Sequence, residues 1–134
     1  MDPVILDTDV LSFIAKADTR GALYLPELAG KRLCICFQSV AELRLWALVR
    51  NWSSSRIESL NTLLAQYVVL PYNSVMAQHW AEITDHRRRL GRPIACGDAW
   101  IAAAAIRHNA TLLSHNARDF EEILHLKMIS HNPD

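Results

Sequence analysis

The chain has 134 residues, of which 51% are hydrophobic, and its 14 basic and 14 acidic side chains give no formal net charge. This length and composition predict one globular domain, residues 1–134, and exclude an intrinsically disordered chain. Neutrality excludes broad electrostatic attraction to nucleic acid, although a local basic patch is compatible with it. The longest purely apolar run, residues 99–106, is too short to cross a membrane, so no membrane partner is expected.

Cysteine usage and the first residues indicate the cellular compartment. The three cysteines are odd in number, and Cys34 and Cys36 alternate with Ile35 in an apolar, strand-like pattern. They are therefore expected to be reduced, buried thiols rather than a disulfide framework. The start of the chain is short and acidic, unlike a signal peptide. We expect a cytoplasmic protein.

Strand-like and helix-like segments alternate along the chain. In chain order, the patterns predict a strand at 4–7, helices at 10–17 and 21–28, a strand at 32–37, helices from 39 to about 50 and at 56–66, a strand at 67–70, a helix from 73 or 74 to about 90, a helix at 97–108, a strand at 111–114, a short helix at 116–124 and a short fifth strand at 127–130. Strands that alternate with helices form parallel sheets covered by helices on both faces. The predicted fold class is therefore α/β, a three-layer α/β/α sandwich around a parallel sheet of four to five strands.

Acidic and amide side chains occur where predicted strands end or predicted helices begin. Asp7 ends the first strand, Glu42 lies in the first turn of the helix after the second strand, and Asp98 begins the alanine-rich helix. Asn116 follows the fourth strand, and Asp119 lies three residues later. Because the carboxyl ends of parallel strands share one edge of the sheet, these groups are expected to converge although they are far apart in sequence.

Several carboxylates close together at one edge of the sheet repel one another, and a bound cation would offset this repulsion. Two carboxylates about 4 Å apart repel by roughly 4 kcal/mol at an effective dielectric constant of about 20. Hard oxygen ligands without a converging histidine or thiol favour Mg²⁺, with Mn²⁺ as the alternative, over zinc. Such a metal lowers the pKa of a bound water and orients it for in-line attack on a phosphodiester. The pattern therefore predicts a metal-dependent hydrolase of phosphodiesters, with Asp7 as the first metal ligand.

Four segments resemble one known family. They are residues 5–12 (ILDTDVLS), 39–43 (SVAEL), 91–94 with 97–103 (GRPI and GDAWIAA), and 112–120 (LLSHNARDF). In this order and spacing they resemble PIN-domain ribonucleases, in particular the VapC-type toxins of bacterial type II toxin–antitoxin (VapBC) modules. Each segment alone has low specificity, whereas the four together are highly specific and extend from the first strand to the last helix.

The resemblance implies a PIN-like fold and a Mg²⁺-dependent endoribonuclease that cleaves RNA with a metal-activated water. Asp7 and Asp98 match the family's metal ligands, and Glu42 matches the acid that completes the shell or holds a metal-bound water. The family's fourth acidic position matches Asn116, which is an amide, so Asp119 is the alternative there. Ser114 matches a hydroxyl that hydrogen-bonds an acidic ligand. The family further implies a homodimer inhibited by a cognate VapB-type antitoxin.

Ordinary helix capping is the alternative role for most of these side chains. An acid, amide or hydroxyl at the start of a helix accepts hydrogen bonds from free backbone amides, and a partner three residues later completes a capping box. The residues with this placement or spacing are Asp9, Asp98, Ser39 with Glu42, and Asn116 with Asp119.

Two other functions fit parts of the sequence. Residues 7–10 (DTDV) match the start of haloacid-dehalogenase-like phosphatases, in which Asp7 would be a nucleophile, but the acid expected four residues after Asp98 is Ala102. The other is a PIN-fold module that binds RNA or a protein without cutting, and the amide at Asn116 favours it.

A basic cluster lies at the predicted end of the helix that begins at 73 or 74. It contains Arg87, Arg88, Arg89 and Arg92. Such a cluster either compensates the helix dipole at its C-terminus or binds RNA phosphate.

Overall fold

The computed structural model describes residues 1–133 and contains a five-stranded sheet in which every neighbouring pair of strands is parallel. The strands are β1 (Pro3–Leu6), β2 (Arg32–Cys36), β3 (Val68–Leu70), β4 (Thr111–Leu113) and β5 (Met128–Ile129), in the spatial order β3-β2-β1-β4-β5. The helices are α1 (Thr8–Ala15), α2 (Thr19–Ala22), α3 (Leu25–Leu28), α4 (Phe37–Val49), α5 (Ser54–Leu64), α6 (Ser74–Arg89) and α7 (Cys96–Arg107), and a 3₁₀ helix covers Ala117–Phe120. No helix within residues 1–133 is both long and apolar enough to span a bilayer.

The two faces of the sheet carry separate hydrophobic cores, because successive side chains of a strand point to opposite faces. On β1, Val4 and Leu6 lie in the core that also contains buried leucines of α1, α4 and α5. Ile5 lies in the other core, with buried residues of α6 and α7. Helices therefore cover both faces of a parallel sheet, and the predicted three-layer α/β/α architecture is confirmed.

The sheet order reverses at β1, and this reversal places the candidate site. The chain goes from β1 to β2 and β3 on one side, and it then adds β4 and β5 on the other side. In open parallel sheets, ligands bind at the carboxyl ends of the strands where the order reverses. Asp7 directly follows β1 and Ser114 directly follows β4, so both lie at this position.

Two helix starts differ from the predictions in a way that affects the site. α1 begins at Thr8, and its N-cap is Asp7 rather than Asp9. α4 begins at Phe37, so Ser39 lies inside the helix and cannot open a capping box. The buried Ser39 hydroxyl instead accepts a hydrogen bond from Thr8 Oγ1 at 2.9 Å, because the starts of α1 and α4 pack together.

Three smaller differences lie outside the site. The predicted helix at 21–28 is two short helices, the second of which has Pro26 in its first turn, where a missing amide hydrogen costs nothing. The predicted helix at 116–124 is a single 3₁₀ turn that ends at Phe120. All three cysteines are free thiols, and Cys34 and Cys36 are buried as predicted, but Cys96 is exposed at the start of α7.

Candidate active site

Asp7 is held at the exit of β1 by a fixed set of hydrogen bonds. Its backbone N–H donates to Leu113 O at 2.9 Å, which extends the pairing of β1 with β4 by one residue. Its Oδ1 accepts from the Thr8 N–H at 2.8 Å, and its Oδ2 accepts from Ser114 Oγ at 2.7 Å. The contact implied for Ser114 by the family resemblance is therefore present. Asp7 is only 6% exposed, so its carboxyl has a single orientation.

The environment of Asp7 disfavours its negative charge. Burial is the main cause, the charge of Asp9 is the second and the charge of Asp98 adds a smaller effect, so that its pKa rises to about 8. The hydrogen bonds from Ser114 and Thr8 oppose this rise without cancelling it. An acid of this kind at neutral pH needs either a proton or a nearby cation.

Asp9 connects α1 to the segment that follows β4. Its Oδ1 accepts from the Val10 N–H at 2.6 Å, and its Oδ2 accepts from the His115 N–H at 3.1 Å. Burial raises its pKa, and these two hydrogen bonds act against the rise. The prediction that Asp9 is the N-cap is wrong because the strand ends one residue earlier than expected, which leaves Asp7 at the cap position.

Asp98 lies in the first turn of α7 and is surrounded by other acids. The N-cap of α7 is Ala95, and no side chain caps this helix. Burial raises the pKa of Asp98 to about 6, and the charges of Asp119, Glu42 and Asp9 add to the rise. Asp98 therefore does not cap the helix. Its carboxyl is close enough to several other acids to interact with their charges.

Glu42 reaches α7 because residue 97 is a glycine. Glu42 lies in the second turn of α4, and its Oε1 accepts from Gln38 Nε2 at 3.1 Å. A Cβ atom added to Gly97 would lie 2.8 Å from Glu42 Oε1 and 2.8 Å from Gln38 Nε2. Neither Gln38 nor Gly97 was identified from the sequence as a contact of Glu42, although Gly97 directly precedes Asp98.

The two candidates for the fourth acidic position, Asn116 and Asp119, have different surroundings. Asp119 acts electrostatically on Asp98 and is the second largest cause of its raised pKa. Asn116 donates its backbone N–H to Ser114 Oγ at 3.0 Å, and its side chain makes no capping hydrogen bond. The exposed side chain of Asn116 lines a cavity beside the acids. The capping-pair prediction for Asn116 and Asp119 is therefore wrong, because the turn is a short 3₁₀ helix.

Arg87 positions the segment that carries Asp119. Arg87 is only 5% exposed; its Nε donates to Arg92 O at 2.7 Å, and its Nη1 donates to Asp119 O at 3.1 Å and to Glu121 O at 3.0 Å. Its charge also lowers the pKa of Asp98. Arg87 is thus committed to the fold, which excludes it from the predicted RNA-binding cluster.

The other three arginines of that cluster are bound to neighbouring carboxylates. Arg88 and Arg89 both pair with Asp85, at 2.7 and 3.0 Å, and Arg92 pairs with Glu121 at 2.6 Å. These pairs are exposed, so each one contributes little to stability. Because Arg88 and Arg89 share the one carboxylate of Asp85, the cluster keeps a net positive charge, and its binding of RNA phosphate stays a prediction.

The acids share one edge of the sheet without forming a closed metal cage. Within residues 1–133, no three His, Cys, Asp or Glu side chains lie close enough together to enclose an ion. Mg²⁺ needs no such cage, because it binds through one or two carboxylates and keeps several waters. The donors near Asp7 and Asp98 are carboxylate oxygens, and a cation would stabilise their charged forms. This donor set fits Mg²⁺ or Mn²⁺ rather than zinc.

The chain is similar to known proteins over most of its length. The family described as the PIN domain matches residues 4–125. Ribonuclease VapC1 of Haemophilus influenzae (strain R2866) is 29% identical over 128 residues, which cover 92% of this chain and 93% of that protein. Ribonuclease VapC5 of Mycobacterium tuberculosis is 35% identical over 104 residues, which cover 75% of this chain and 73% of that protein.

The fold of the chain is also similar to that of a solved structure. VapBC-1 from nontypeable Haemophilus influenzae superposes with a TM-score of 0.80 at 26% identity, covering 96% of this chain and 97% of that chain. The haloacid-dehalogenase alternative is therefore wrong, because the similarity extends over the whole fold rather than over residues 7–10 alone. The chain belongs to the PIN-domain family, and within that family it is a relative of the VapC ribonucleases.

Proposed function

We propose that this protein is a Mg²⁺-dependent endoribonuclease. The observation that carries the proposal is the buried Asp7 carboxyl, whose pKa is raised to about 8 by burial and by the acids beside it. Burial disfavours the charged form of this carboxyl, and a bound cation would favour it. The relatives named ribonuclease VapC1 and VapC5 support RNA as the substrate.

The acids have different roles in this proposal. Asp7 and Asp98 would hold the Mg²⁺ ion, with Mn²⁺ as an alternative, and Glu42 would complete its shell. Asp119 takes the fourth acidic position, because it acts on Asp98 whereas Asn116 faces the neighbouring cavity. When bound, the ion lowers the pKa of a water and neutralises charge on the phosphodiester.

The chain's own hydrogen bonds orient these acids before substrate arrives. Ser114 Oγ and the Thr8 N–H fix both oxygens of Asp7. Gln38 Nε2 holds Glu42 Oε1 at 3.1 Å. Contacts of this kind are the usual supports of metal-binding side chains, and losing one typically reduces metal affinity or activity by about 10–100-fold.

Cleavage of a structured RNA in Mg²⁺ against EDTA tests the proposal. We expect cleavage by the wild-type protein in Mg²⁺, no cleavage in EDTA, and no cleavage by Asp7→Asn, which keeps the side-chain shape without the charge. Asp2→Asn is the matched control, because Asp2 is exposed at the opposite edge of the sheet. A folded Asp7→Asn protein that cuts at the wild-type rate would overturn the proposed role of Asp7.

We also propose that the protein is the toxin of a type II toxin–antitoxin module in the cytoplasm, that it forms a homodimer and that a VapB-type antitoxin inhibits it. The solved relative VapBC-1 supports the antitoxin. Expression should arrest growth, Asp7→Asn should relieve the arrest, and co-expressed antitoxin should bind both proteins. Light scattering of the purified chain should give the mass of two copies.

A PIN-fold module that binds RNA without cutting is the second candidate. The observation that favours it is the amide at Asn116, since a missing acid weakens metal binding. RNA binding without cleavage in both Mg²⁺ and Mn²⁺ would support this candidate over the nuclease.

A further inference from the structure

A cavity of about 230 Å³, to which four polar residues contribute, opens beside the acids at the carboxyl ends of β4 and β5. Its walls are His115, Asn116, Ala117, Arg118 and Asn132. Asn132 lies just beyond β5, and the other four residues directly follow Ser114. The cavity therefore continues the row of strand ends that begins with Asp7 and has a different chemistry from the acidic site.

Hydrogen bonds join the cavity wall to the acids. Ser114 Oγ donates to Asp7 Oδ2 at 2.7 Å and accepts from the Asn116 N–H at 3.0 Å. The His115 N–H donates to Asp9 Oδ2 at 3.1 Å. A ligand in the cavity would thus lie one residue away from the groups that fix Asp7.

One side of the cavity wall, formed by His115 and Asn132, is held by several contacts. The buried Tyr24 hydroxyl is 2.7 Å from His115 Nδ1 and accepts from the His131 N–H at 3.0 Å. The His115 ring makes edge contacts with Phe13 and Tyr24, at centroid distances of 5.5 and 5.7 Å. Asn132 Nδ2 donates to His115 O at 2.8 Å. This part of the wall is already ordered, so a ligand that contacts it has little conformational entropy to offset there.

Arg118 gives the cavity a positive charge close to the acids. Arg118 is exposed and interacts electrostatically with Glu121, but the Glu121 carboxylate is already bound by Arg92 at 2.6 Å. The guanidinium of Arg118 is therefore available for bidentate binding of a phosphate. A strand of RNA that approaches several carboxylates needs such a cation to offset the repulsion of its phosphates.

We propose that this cavity binds the nucleotide adjoining the phosphodiester on which the acids act. Arg118 pairs with the phosphate of that nucleotide, and the side-chain amide of Asn116 hydrogen-bonds the edge of its base. The amide that replaces an acid at Asn116 is then a substrate contact rather than a weakened metal ligand. This inference rests on the proposed ribonuclease function and deepens it.

The test uses a labelled single-stranded oligoribonucleotide that contains one cleavage site. Arg118→Gln removes one phosphate contact, so it should raise KM about tenfold and change kcat less than about threefold. In a salt titration, the slope of log K for RNA binding against log salt concentration should become shallower by about 0.7. Arg107→Gln is the matched control, because Arg107 is exposed at the far end of α7 and should leave both constants unchanged. Asn116→Ala should alter the base preferred next to the cut, as read by sequencing RNA ends.

Failure of the nucleotide site and failure of the nuclease proposal give different results. If wild-type protein cuts the RNA while folded Arg118→Gln and Asn116→Ala keep its KM and its base preference, the cavity is not a nucleotide site. If the wild-type protein cuts no RNA in Mg²⁺ or Mn²⁺, the nuclease proposal fails. The cavity is then judged by fluorescence anisotropy of the same RNA, where equal affinity of the wild-type and Arg118→Gln proteins overturns it.

Discussion

At the scale of single residues, Asp7 shows how a functional group affects the stability of its own fold. Its ordinary pKa is near 3.8, and in the folded chain it is about 8. A carboxyl with a raised pKa contributes stability that is fully present below the unfolded value and is lost as the pH rises through the folded value. Without metal, the protein should therefore become less stable between about pH 4 and pH 8.

Asp7→Asn should remove most of this loss, because the amide is neutral at every pH in the range. At pH 8 without metal, we expect the variant to be more stable than wild type by about 1–3 kcal/mol. Urea denaturation from pH 5 to pH 8 measures the difference. Asp18→Asn is the contrasting control, since hydrogen bonds from Arg20 lower the pKa of Asp18 to about 2, so its contribution to stability is constant from pH 5 to pH 8 and is lost only in stronger acid. A variant equally destabilised at pH 5 and pH 8 would contradict the prediction.

Gly97 is the residue where the smallest change should affect the site. An alanine Cβ would lie 2.8 Å from Glu42 Oε1 and from Gln38 Nε2, both at the ends of flexible side chains. The side chains can move, so Gly97→Ala should keep or slightly increase stability, since alanine favours helices by about 1 kcal/mol over glycine. Moving Glu42 should reduce Mg²⁺ affinity about tenfold, as loss of a supporting contact does.

Calorimetric titration with Mg²⁺ and a thermal melt measure these two effects of Gly97→Ala. If the alanine acts through Glu42, combining it with Glu42→Gln should add little to the loss caused by Glu42→Gln alone. Fully additive losses in the double variant would show that Gly97 acts by another route.

At the scale of elements, the sequence predicted the identity of the strands and helices better than their ends. All five strands and the long helices were expected, because the apolar periodicity that defines them is local. The starts of α1 and α4 were wrong by about two residues, since the Thr8–Ser39 hydrogen bond that joins them links residues 31 positions apart. Sequence spacing alone could not distinguish a capping Ser39 from a buried one.

Arg87 is the clearest case of one element positioning another. From α6 it donates three hydrogen bonds to the backbone carbonyls of Arg92, Asp119 and Glu121. Arg87→Leu leaves those carbonyls without donors and should cost about 2–5 kcal/mol of unfolding free energy. Arg88→Leu should cost less than about 0.5 kcal/mol, because Arg88 is exposed and pairs with Asp85 at the surface.

Urea denaturation of the Arg87 and Arg88 variants decides between a structural and a surface role. Arg87→Lys serves as the intermediate case, because an ammonium keeps the charge but lacks the planar set of donors. Equal stability of the Arg87→Leu and Arg88→Leu proteins would contradict the structural role of Arg87.

At the scale of the whole molecule, strand order decides which acids become neighbours. The sequence predicted a parallel sheet and one shared edge, and the structure has both. It could not give the order β3-β2-β1-β4-β5, because pairing depends on packing between distant segments. The sequence therefore left Asn116 and Asp119 as alternatives for the fourth acidic position; in the structure Asp119 acts electrostatically on Asp98, and Asn116 lines the cavity.

The same arrangement predicts how Mg²⁺ stabilises the entire fold. A metal binds deprotonated ligands, and the pKa values of Asp7 and Asp98 are raised to about 8 and about 6, so Mg²⁺ affinity should rise from pH 5.5 to pH 8. An ion at about 100 times its Kd adds about 2.7 kcal/mol of stability. The rise in Tm with MgCl₂ over KCl of equal ionic strength should therefore be larger at pH 8. Asp7→Asn should lose most of this rise. An equal rise at both pH values, or in both proteins, would show that the ion binds elsewhere.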